Sequence, residues 1–143
     1  MVNSSERNGK VMEILRVEHL KKTYGEGENA VHALDDVSFS VEKGEFTAII
    51  GPSGSGKSTL LHILGAVDVP TAGKVYMDGQ DVFAQNEEEL AVFRRRQVGL
   101  IYQFYNLIPV LNVRENITLP ILMDGRKINE KRLQEMIHTL RLE

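Results

Sequence analysis

The sequence has no cysteine, and its apolar stretches are short. Without cysteine the chain has no disulfide, no thiolate metal site and no cysteine nucleophile, which is compatible with a reducing compartment. Residues 1–10 are polar and lack the apolar segment of a signal peptide, so we expect a flexible N-terminal arm there. The longest apolar stretches, such as residues 117–123, fall far below the roughly 20 residues that span a bilayer. Any membrane role would therefore come through a partner.

An excess of charge of one sign is also lacking. Seventeen Lys and Arg residues against 20 Asp and Glu residues give a formal net charge of −3, and 42% of the 143 residues are hydrophobic. This balance produces no summed field that would attract nucleic acid or an anionic membrane, so we predict no nucleic-acid partner. The four histidines show no HxxxH or HxH spacing and predict no metal site. The composition is typical of one soluble globular domain.

Two kinds of strand are predicted. Residues 15–18 and 37–41 alternate between apolar and polar side chains, as half-buried antiparallel strands do. Residues 46–50 and 98–102 are instead apolar almost throughout, a pattern typical of strands buried on both faces of a parallel sheet. Residues 74–77 resemble a further strand. We therefore expect an α/β fold whose opening part is antiparallel.

Helices are predicted from capping signals. Asn86 and Glu89 have the spacing of a capping box, ahead of a helix that should run to about residue 96. Asn112 and Glu115 repeat that spacing, and Pro120 should kink or end the helix that follows. A further helix is expected from about residue 129, because apolar residues recur there at helical spacing: Leu133, Met136, Ile137 and Leu140.

Residues 51–59 read Gly-Pro-Ser-Gly-Ser-Gly-Lys-Ser-Thr and satisfy the phosphate-binding Walker A pattern between a predicted strand and a predicted helix. Glycines let consecutive backbone N–H groups converge on a phosphate, and the helix adds its positive N-terminal end. Lys57 would contact the β- and γ-phosphates of ATP and act in catalysis, and the Ser58 hydroxyl would bind Mg²⁺. A chance glycine-rich turn is the alternative, which the complete motif disfavours. The predicted nucleotide-binding residues of this segment are Gly51, Ser53, Gly54, Ser55, Gly56, Lys57, Ser58 and Thr59.

With these residues in view, the chain resembles the ABC ATPase family, and the resemblance covers essentially everything after the N-terminal arm. It implies that Tyr24 stacks on the adenine of ATP and that Thr59 donates to the α-phosphate. It also implies that Gln103 acts in catalysis, its amide oxygen reaching Mg²⁺ and the attacking water. Taken alone, Tyr24 could instead be a packing residue, and Gln103 could simply cap a strand.

Four segments narrow the resemblance to one branch of the family. They are residues 61–65, 93–96, 106–109 and 115–120. They are similar to ATPases of the lipoprotein-releasing, macrolide-exporting and peptide-antibiotic-resistance branch. This resemblance implies a transmembrane permease as partner and a homodimer of ATPase domains when the domain is complete. It also implies a cytoplasmic protein held on the inner face of the cell membrane by the permease.

The resemblance further implies a P-loop NTPase core with an N-terminal antiparallel β subdomain, extending to about residue 103. Residues 104–143 would begin a helical subdomain, and residues 11–143 would be the N-terminal part of one ABC ATPase domain. The family's acidic Walker B strand, histidine switch and signature loop are absent from the 143 residues. We therefore expect a truncated domain, incomplete at its C-terminus, that binds ATP without hydrolysing it efficiently.

Two other functions remain open. One is a soluble ABC-type ATPase that acts without a permease, although the large insertions or tandem cassettes usual in such proteins are not seen here. The other is a binding or regulatory fragment without catalysis. Association with a membrane permease would separate the first of these from a transport subunit.

Overall fold

The computed structural model describes residues 12–104 and 107–142, so the predicted arm at residues 1–10 lies outside the described residues. The chain divides into two compact units, Met1–Leu90 and Ala91–Glu143. The strands are β1 (Glu13–Tyr24), β2 (Val31–Glu42), β3 (Ala72–Met77) and β4 (Gln80–Asp81). The helices are α1 (Lys57–Leu64), α2 (Glu87–Gln97), α3 (Val113–Met123) and α4 (Glu130–Thr139), with short 3₁₀ turns at Gly27–Asn29 and Val82–Ala84.

The four described strands form one antiparallel sheet in the order β2-β1-β3-β4. Val17 in β1 lies opposite Phe39 on one side and Val75 on the other, so β1 is paired along both edges. The prediction of an antiparallel opening is confirmed. The alternating patterns had marked only part of the first half of β1 and most of the second half of β2.

The core of the first unit contains side chains from the sheet, from α1 and from the second 3₁₀ turn. The largest fully buried side chains there are Val17, Leu20, Ile63, Val75 and Val82. Burying apolar surface from a sheet and a helix together is the usual way a layered domain closes its core. The phosphate-loop helix is therefore held through its own apolar face, by Leu60 and Ile63.

The two apolar segments predicted as buried parallel strands, residues 46–50 and 98–102, are not strands in the structure. Phe46 is 96% exposed, Ile50 is 90% exposed and Ile101 is 97% exposed. An apolar segment becomes a buried strand only where neighbouring strands accept and donate its backbone hydrogen bonds. Within the described residues neither segment has a strand beside it, which explains why these two predictions are wrong.

The capping predictions are confirmed. The Asn112 side chain accepts from the Glu115 backbone N–H at 2.9 Å, and Glu115 accepts from the Asn112 N–H at 2.8 Å. The same reciprocal pair joins Asn86 and Glu89, at 3.0 Å in both directions. These side chains satisfy backbone donors that a helix start leaves unpaired.

Of the two outcomes predicted at Pro120, the end of the helix is wrong, because α3 continues to Met123, and the kink stays a prediction. Proline lacks an N–H donor and its ring crowds the carbonyl four residues earlier, but both effects are confined to the preceding turn. Beyond it the pattern resumes, with the Asp124 N–H donating to the Pro120 carbonyl at 3.2 Å.

Within the second unit, ion pairs as well as apolar contacts hold the helices together. Arg114 on α3 makes two hydrogen bonds to Glu130 on α4, at 2.6 and 2.9 Å. The Asp124 side chain is almost fully buried. It accepts a hydrogen bond from Arg96 Nε at 3.1 Å and forms an ion pair with Arg126, whose Nε lies 2.8 Å from Oδ2. On α4, Leu133 is buried, whereas Met136 and Leu140 at the same helical spacing are exposed. None of the helices in the described ranges is long and apolar enough to cross a bilayer.

Candidate nucleotide-binding site

The phosphate loop leads directly into α1, which begins at Lys57. The residue before it, Gly56, has φ of 83° and carries no side chain that could cap the helix. The first backbone N–H groups of an α-helix have no partner within the helix. Donors at a helix start that no side chain occupies can bind an anion such as phosphate.

Glycine is the only residue type that fits at position 56. A Cβ atom there would lie 2.2 Å from the Ala33 carbonyl oxygen and 3.0 Å from Leu34 Cδ2. The approach is close because β2 has one extra residue at this point. Lys22 of β1 pairs with Leu34, and the next residue, Thr23, pairs with His32, so Ala33 has no direct partner. This bulge places the β2 backbone against the phosphate loop.

Lys57 folds back over the loop. Its Nζ donates to the Gly51 carbonyl at 3.0 Å, to the Pro52 carbonyl at 2.6 Å and to Ser55 Oγ at 3.3 Å. The ammonium group therefore already lies where the loop backbone curves around it. An incoming phosphate would exchange these neutral acceptors for charged oxygens, and hydrogen bonds between charged partners are stronger.

A cavity of about 410 Å³ opens beside the loop. Its walls are formed by three residues of β2, Val31, His32 and Ala33, and by residues 53–59. Most of the predicted nucleotide-binding residues therefore lie around one cavity. Gly51 belongs to the same loop, and its carbonyl accepts a hydrogen bond from Lys57. The part played by β2 was missed in the sequence, where His32 showed no motif; its imidazole Nδ1 lies 3.0 Å from Thr23 Oγ1.

Ser58 is exposed on the wall of this cavity. A hydroxyl at that place suits Mg²⁺, which binds few protein ligands and completes its shell with phosphate oxygens and water. Within the described part of the chain, no three His, Asp or Glu residues are grouped as a metal site of their own. The Ser58 hydroxyl fits a Mg²⁺ ion that is bound together with a nucleotide.

Tyr24 is the last residue of β1 and is 41% exposed. Its hydroxyl donates to Asp68 Oδ2 at 2.6 Å, and Lys22 Nζ lies 4.8 Å from the centre of its ring. The hydrogen bond to Asp68 is the main reason that the pKa of Tyr24 is raised. Burial opposes ionisation of Asp68, but hydrogen bonds from Lys22, Tyr24 and the Val69 N–H hold its pKa below the usual value. Lys22 and Asp68 were not identified from the sequence.

Gln103 belongs to the second unit, in an exposed bend outside any helix or strand. The segment that follows it is fastened by Asn116, whose Oδ1 accepts from the Ile108 N–H at 2.9 Å and whose Nδ2 donates to the Leu111 carbonyl at 2.9 Å. The side chain of Gln103 is therefore accessible on a loop whose later part is held by α3.

The comparisons with known proteins all lead to the same family. The profile of the family described as "ABC transporter" matches residues 34–143. The lipoprotein-releasing system ATP-binding protein LolD of Aquifex aeolicus is 48% identical over 118 residues, which are 82% of this chain and 51% of that protein. The macrolide export ATP-binding/permease protein MacB of Brucella abortus is 43% identical over 131 residues, 90% of this chain and 20% of that protein.

Solved structures give the same result for the fold. The dimeric ATP-binding cassette MJ0796 superposes with a TM-score of 0.80 and 38% identity, over 90% of this chain and 56% of that one. The same cassette in a post-hydrolysis state bound to ADP and Pi gives a TM-score of 0.79. The expected cassette fold, with its N-terminal antiparallel sheet, is therefore confirmed for the N-terminal part. The chain spans about half the length of the LolD relatives it matches.

Proposed function

This chain belongs to the ABC transporter family of ATP-binding proteins, and from that premise we propose that it binds ATP with Mg²⁺ through residues 51–59 and serves as the ATP-binding subunit of a transporter. The observation that carries the proposal is the loop itself. Lys57 lies inside the curve of the loop, at the start of a helix with no side-chain cap, beside an open cavity. The ammonium group and the uncapped N–H groups attract a phosphate, and the cavity leaves room for it.

The roles of individual residues follow from their places. The backbone N–H groups around Gly54 to Thr59 would surround the phosphates, Lys57 would neutralise the β- and γ-phosphates, and Ser58 would be a Mg²⁺ ligand. Mg²⁺ would supply charge neutralisation on the phosphates when bound. Tyr24 offers an exposed aromatic ring at the end of β1 for the adenine. We assign Gln103 the role of a mobile ligand for Mg²⁺ and water, on the basis of the family pattern alone.

We also propose a domain assignment, a partner and a location. Residues 11–143 would form the N-terminal part of one ABC ATPase domain, with a helical subdomain from about residue 104. Relatives named as a lipoprotein-releasing ATP-binding protein and a macrolide export ATP-binding/permease protein favour coupling to a transmembrane permease. The MJ0796 cassette is dimeric, which favours a homodimer for this chain. Such a subunit would lie in the cytoplasm, against the inner face of the membrane.

ATP hydrolysis is the activity proposed for the whole domain. Phosphoryl transfer depends on positioned charges around the phosphate, and the 143 residues contain neither an acidic Walker B strand nor a signature loop. We therefore propose that these residues bind ATP but do not turn it over efficiently. A soluble ABC-type ATPase without a permease remains the alternative, and no observation on this chain favours it.

The decisive experiment is isothermal calorimetry of Mg-ATP binding to the wild-type chain and to Lys57→Ala. Removing the ammonium should weaken binding by about 1.5–3 kcal/mol, the worth of a charge-assisted hydrogen bond, which is roughly 10- to 150-fold. Lys43→Ala is the matched control, because Lys43 is exposed in the turn after β2 and outside the cavity. Equal affinity for wild type and Lys57→Ala would refute the phosphate-loop assignment.

A second measurement addresses Gln103. In a complete subunit assembled with its permease, Gln103→Ala should leave the ATP affinity nearly unchanged and lower the rate of permease-stimulated hydrolysis. Strong loss of binding with normal hydrolysis would contradict this role.

A further inference from the structure

The ring of Tyr24 is held at both ends. Tyr24 is the last residue of β1, and its backbone pairs with Val31 of β2. At the other end of the side chain, the hydroxyl donates to Asp68 Oδ2 at 2.6 Å. A tyrosine at an exposed strand end would otherwise sample several side-chain rotamers. A hydrogen bond from hydroxyl to carboxylate, at the far end of the ring, selects one of them.

Asp68 is itself fixed by Lys22. Lys22 Nζ donates to Asp68 Oδ1 at 2.6 Å and to the Val69 carbonyl at 2.7 Å, while the Val69 N–H donates to the same Oδ1 at 2.8 Å. The side chain of Lys22 is only 12% exposed, so this pair is better shielded from water than a surface salt bridge. Both oxygens of Asp68 are therefore engaged, one by Lys22 and one by Tyr24.

Lys22 also acts on the ring directly. Its Nζ lies over the Tyr24 ring, 4.8 Å from the centroid, at the range of a cation–π contact. An ammonium group on one face of a ring leaves the opposite face for a stacked base. The arrangement thus determines which face of Tyr24 a base can use.

The same residues tie the ring to the phosphate loop. The N–H groups of Val67 and Asp68 both donate to the His62 carbonyl, at 2.9 and 3.3 Å, so Asp68 is anchored on the last turn of α1. A hydrogen bond with Thr59, in the first turn of α1, lowers the pKa of Tyr24 by less than the hydrogen bond to Asp68 raises it. One helix of eight residues therefore presents phosphate donors at its start and the anchor of the aromatic ring after its end.

We infer that Asp68 and Lys22 are positioning residues that set the Tyr24 ring at a fixed distance from the phosphate loop, so that base and phosphates of one nucleotide are bound together. This inference rests on the proposed nucleotide-binding function. A ring ordered before binding loses less conformational freedom when the base stacks, and this is where Asp68 contributes affinity. The contribution applies only to ligands that have a base.

The test compares two ligands by calorimetry, Mg-ATP and inorganic tripolyphosphate, which has the phosphates without the base. In the full chain, Asp68→Ala should weaken ATP binding by roughly three- to tenfold, the cost of ordering one side chain, and leave tripolyphosphate binding unchanged. Tyr24→Phe keeps the ring and loses only the hydroxyl, so it should show the same selective loss. Because Asp68→Ala already breaks the hydrogen bond that Tyr24→Phe removes, the double variant should lose no more than Asp68→Ala alone.

Asp35→Ala is the matched control. Asp35 forms an exposed ion pair with Lys21 at 2.8 Å on the same sheet and does not itself line the cavity, so its removal should change neither affinity. Thermal melting of each variant shows whether it is folded, and if Asp68→Ala fails to fold, Tyr24→Phe decides alone.

Several outcomes would overturn the inference. Equal losses for ATP and tripolyphosphate in Asp68→Ala would show that Asp68 supports the loop as a whole. Wild-type ATP affinity in Tyr24→Phe, or additive losses in the double variant, would show that the ring is held in another way. If the wild-type chain bound neither ligand, the proposed function would fail first.

Discussion

The antiparallel sheet and residues 46–50 lie in the same unit and are both built from apolar, strand-forming side chains, yet only the sheet is buried. Leu20 in β1 and Val75 in β3 are completely inaccessible to water, whereas Phe46 and Ile50 are almost fully exposed. β1 has a partner strand on each edge. Residues 46–50 have no neighbouring strand among the described residues. Apolar composition therefore predicts burial only where the partner strands are at hand.

Residues 98–102 in the second unit lead to the same conclusion. Ile101 is exposed although its segment reads as a buried strand. The helices of that unit behave differently, because their starts are closed by their own side chains, as with Asn112 and Glu115. A capping box needs four consecutive residues, whereas a buried strand needs neighbours that are distant in sequence.

The largest expected effect tests the buried side of this comparison. Leu20→Ala removes a fully buried side chain from the strand that is paired on both edges. The free energy of unfolding should fall by about 2–5 kcal/mol, because transfer energy is lost and a cavity is left. Urea denaturation measures it, and a loss below about 1 kcal/mol would mean that the sheet core is loosely packed.

A smaller effect tests how closely the strands of the sheet approach each other. Gly73 in β3 has φ of 87°, and a Cβ there would lie 2.4 Å from the His19 carbonyl oxygen. Gly73→Ala should destabilise by about 1–3 kcal/mol, since alanine is strained at this φ and its Cβ would clash with the neighbouring strand. Gly79→Ala is the control, because Gly79 has φ of 79° but a Cβ there would enter open space. Equal losses for the two variants would show that the clash is relieved at no cost.

The capping box comes next in size. Asn112→Ala should lower stability by about 1 kcal/mol, because the Glu115 N–H loses its acceptor at the start of α3. Asn112→Gly should lower stability by only about a few tenths of a kcal/mol, since glycine is well tolerated as a helix N-cap. Thermal or urea unfolding gives both values. A larger loss in Asn112→Gly than in Asn112→Ala would contradict the assignment of Asn112 as a helix cap.

The smallest effect is expected at the unpaired segment. In the 143-residue chain, Phe46→Ser and Ile50→Ser should each change the unfolding free energy by no more than about 0.5 kcal/mol, as exposed substitutions usually do. Losses near those of Leu20→Ala would show that residues 46–50 are covered in solution, and the comparison between the two regions would no longer hold.

The candidate site shows a similar division between what could be predicted and what could not. Residues 51–59 were identified because the phosphate loop is one continuous segment with a known pattern. Asp68, Lys22 and His32 were missed because each meets the site through a partner far along the chain, 44 residues separating Asp68 from Tyr24. No local pattern marks such a pair.

The sequence by itself determined the phosphate loop, the helix starts at Asn86, Asn112 and Asn129, and the antiparallel pattern of the first strands. All of these depend on residues within a few positions of one another or on side-chain alternation along one strand. The tertiary structure alone decided that β2 bulges at Ala33 against Gly56, that Asp68 holds the Tyr24 ring, that residues 46–50 are exposed, and that residues 98–102 form no buried strand. The physical reason is that burial and hydrogen bonding between distant segments require both partners to be present, and each segment carries only its own half of the contact.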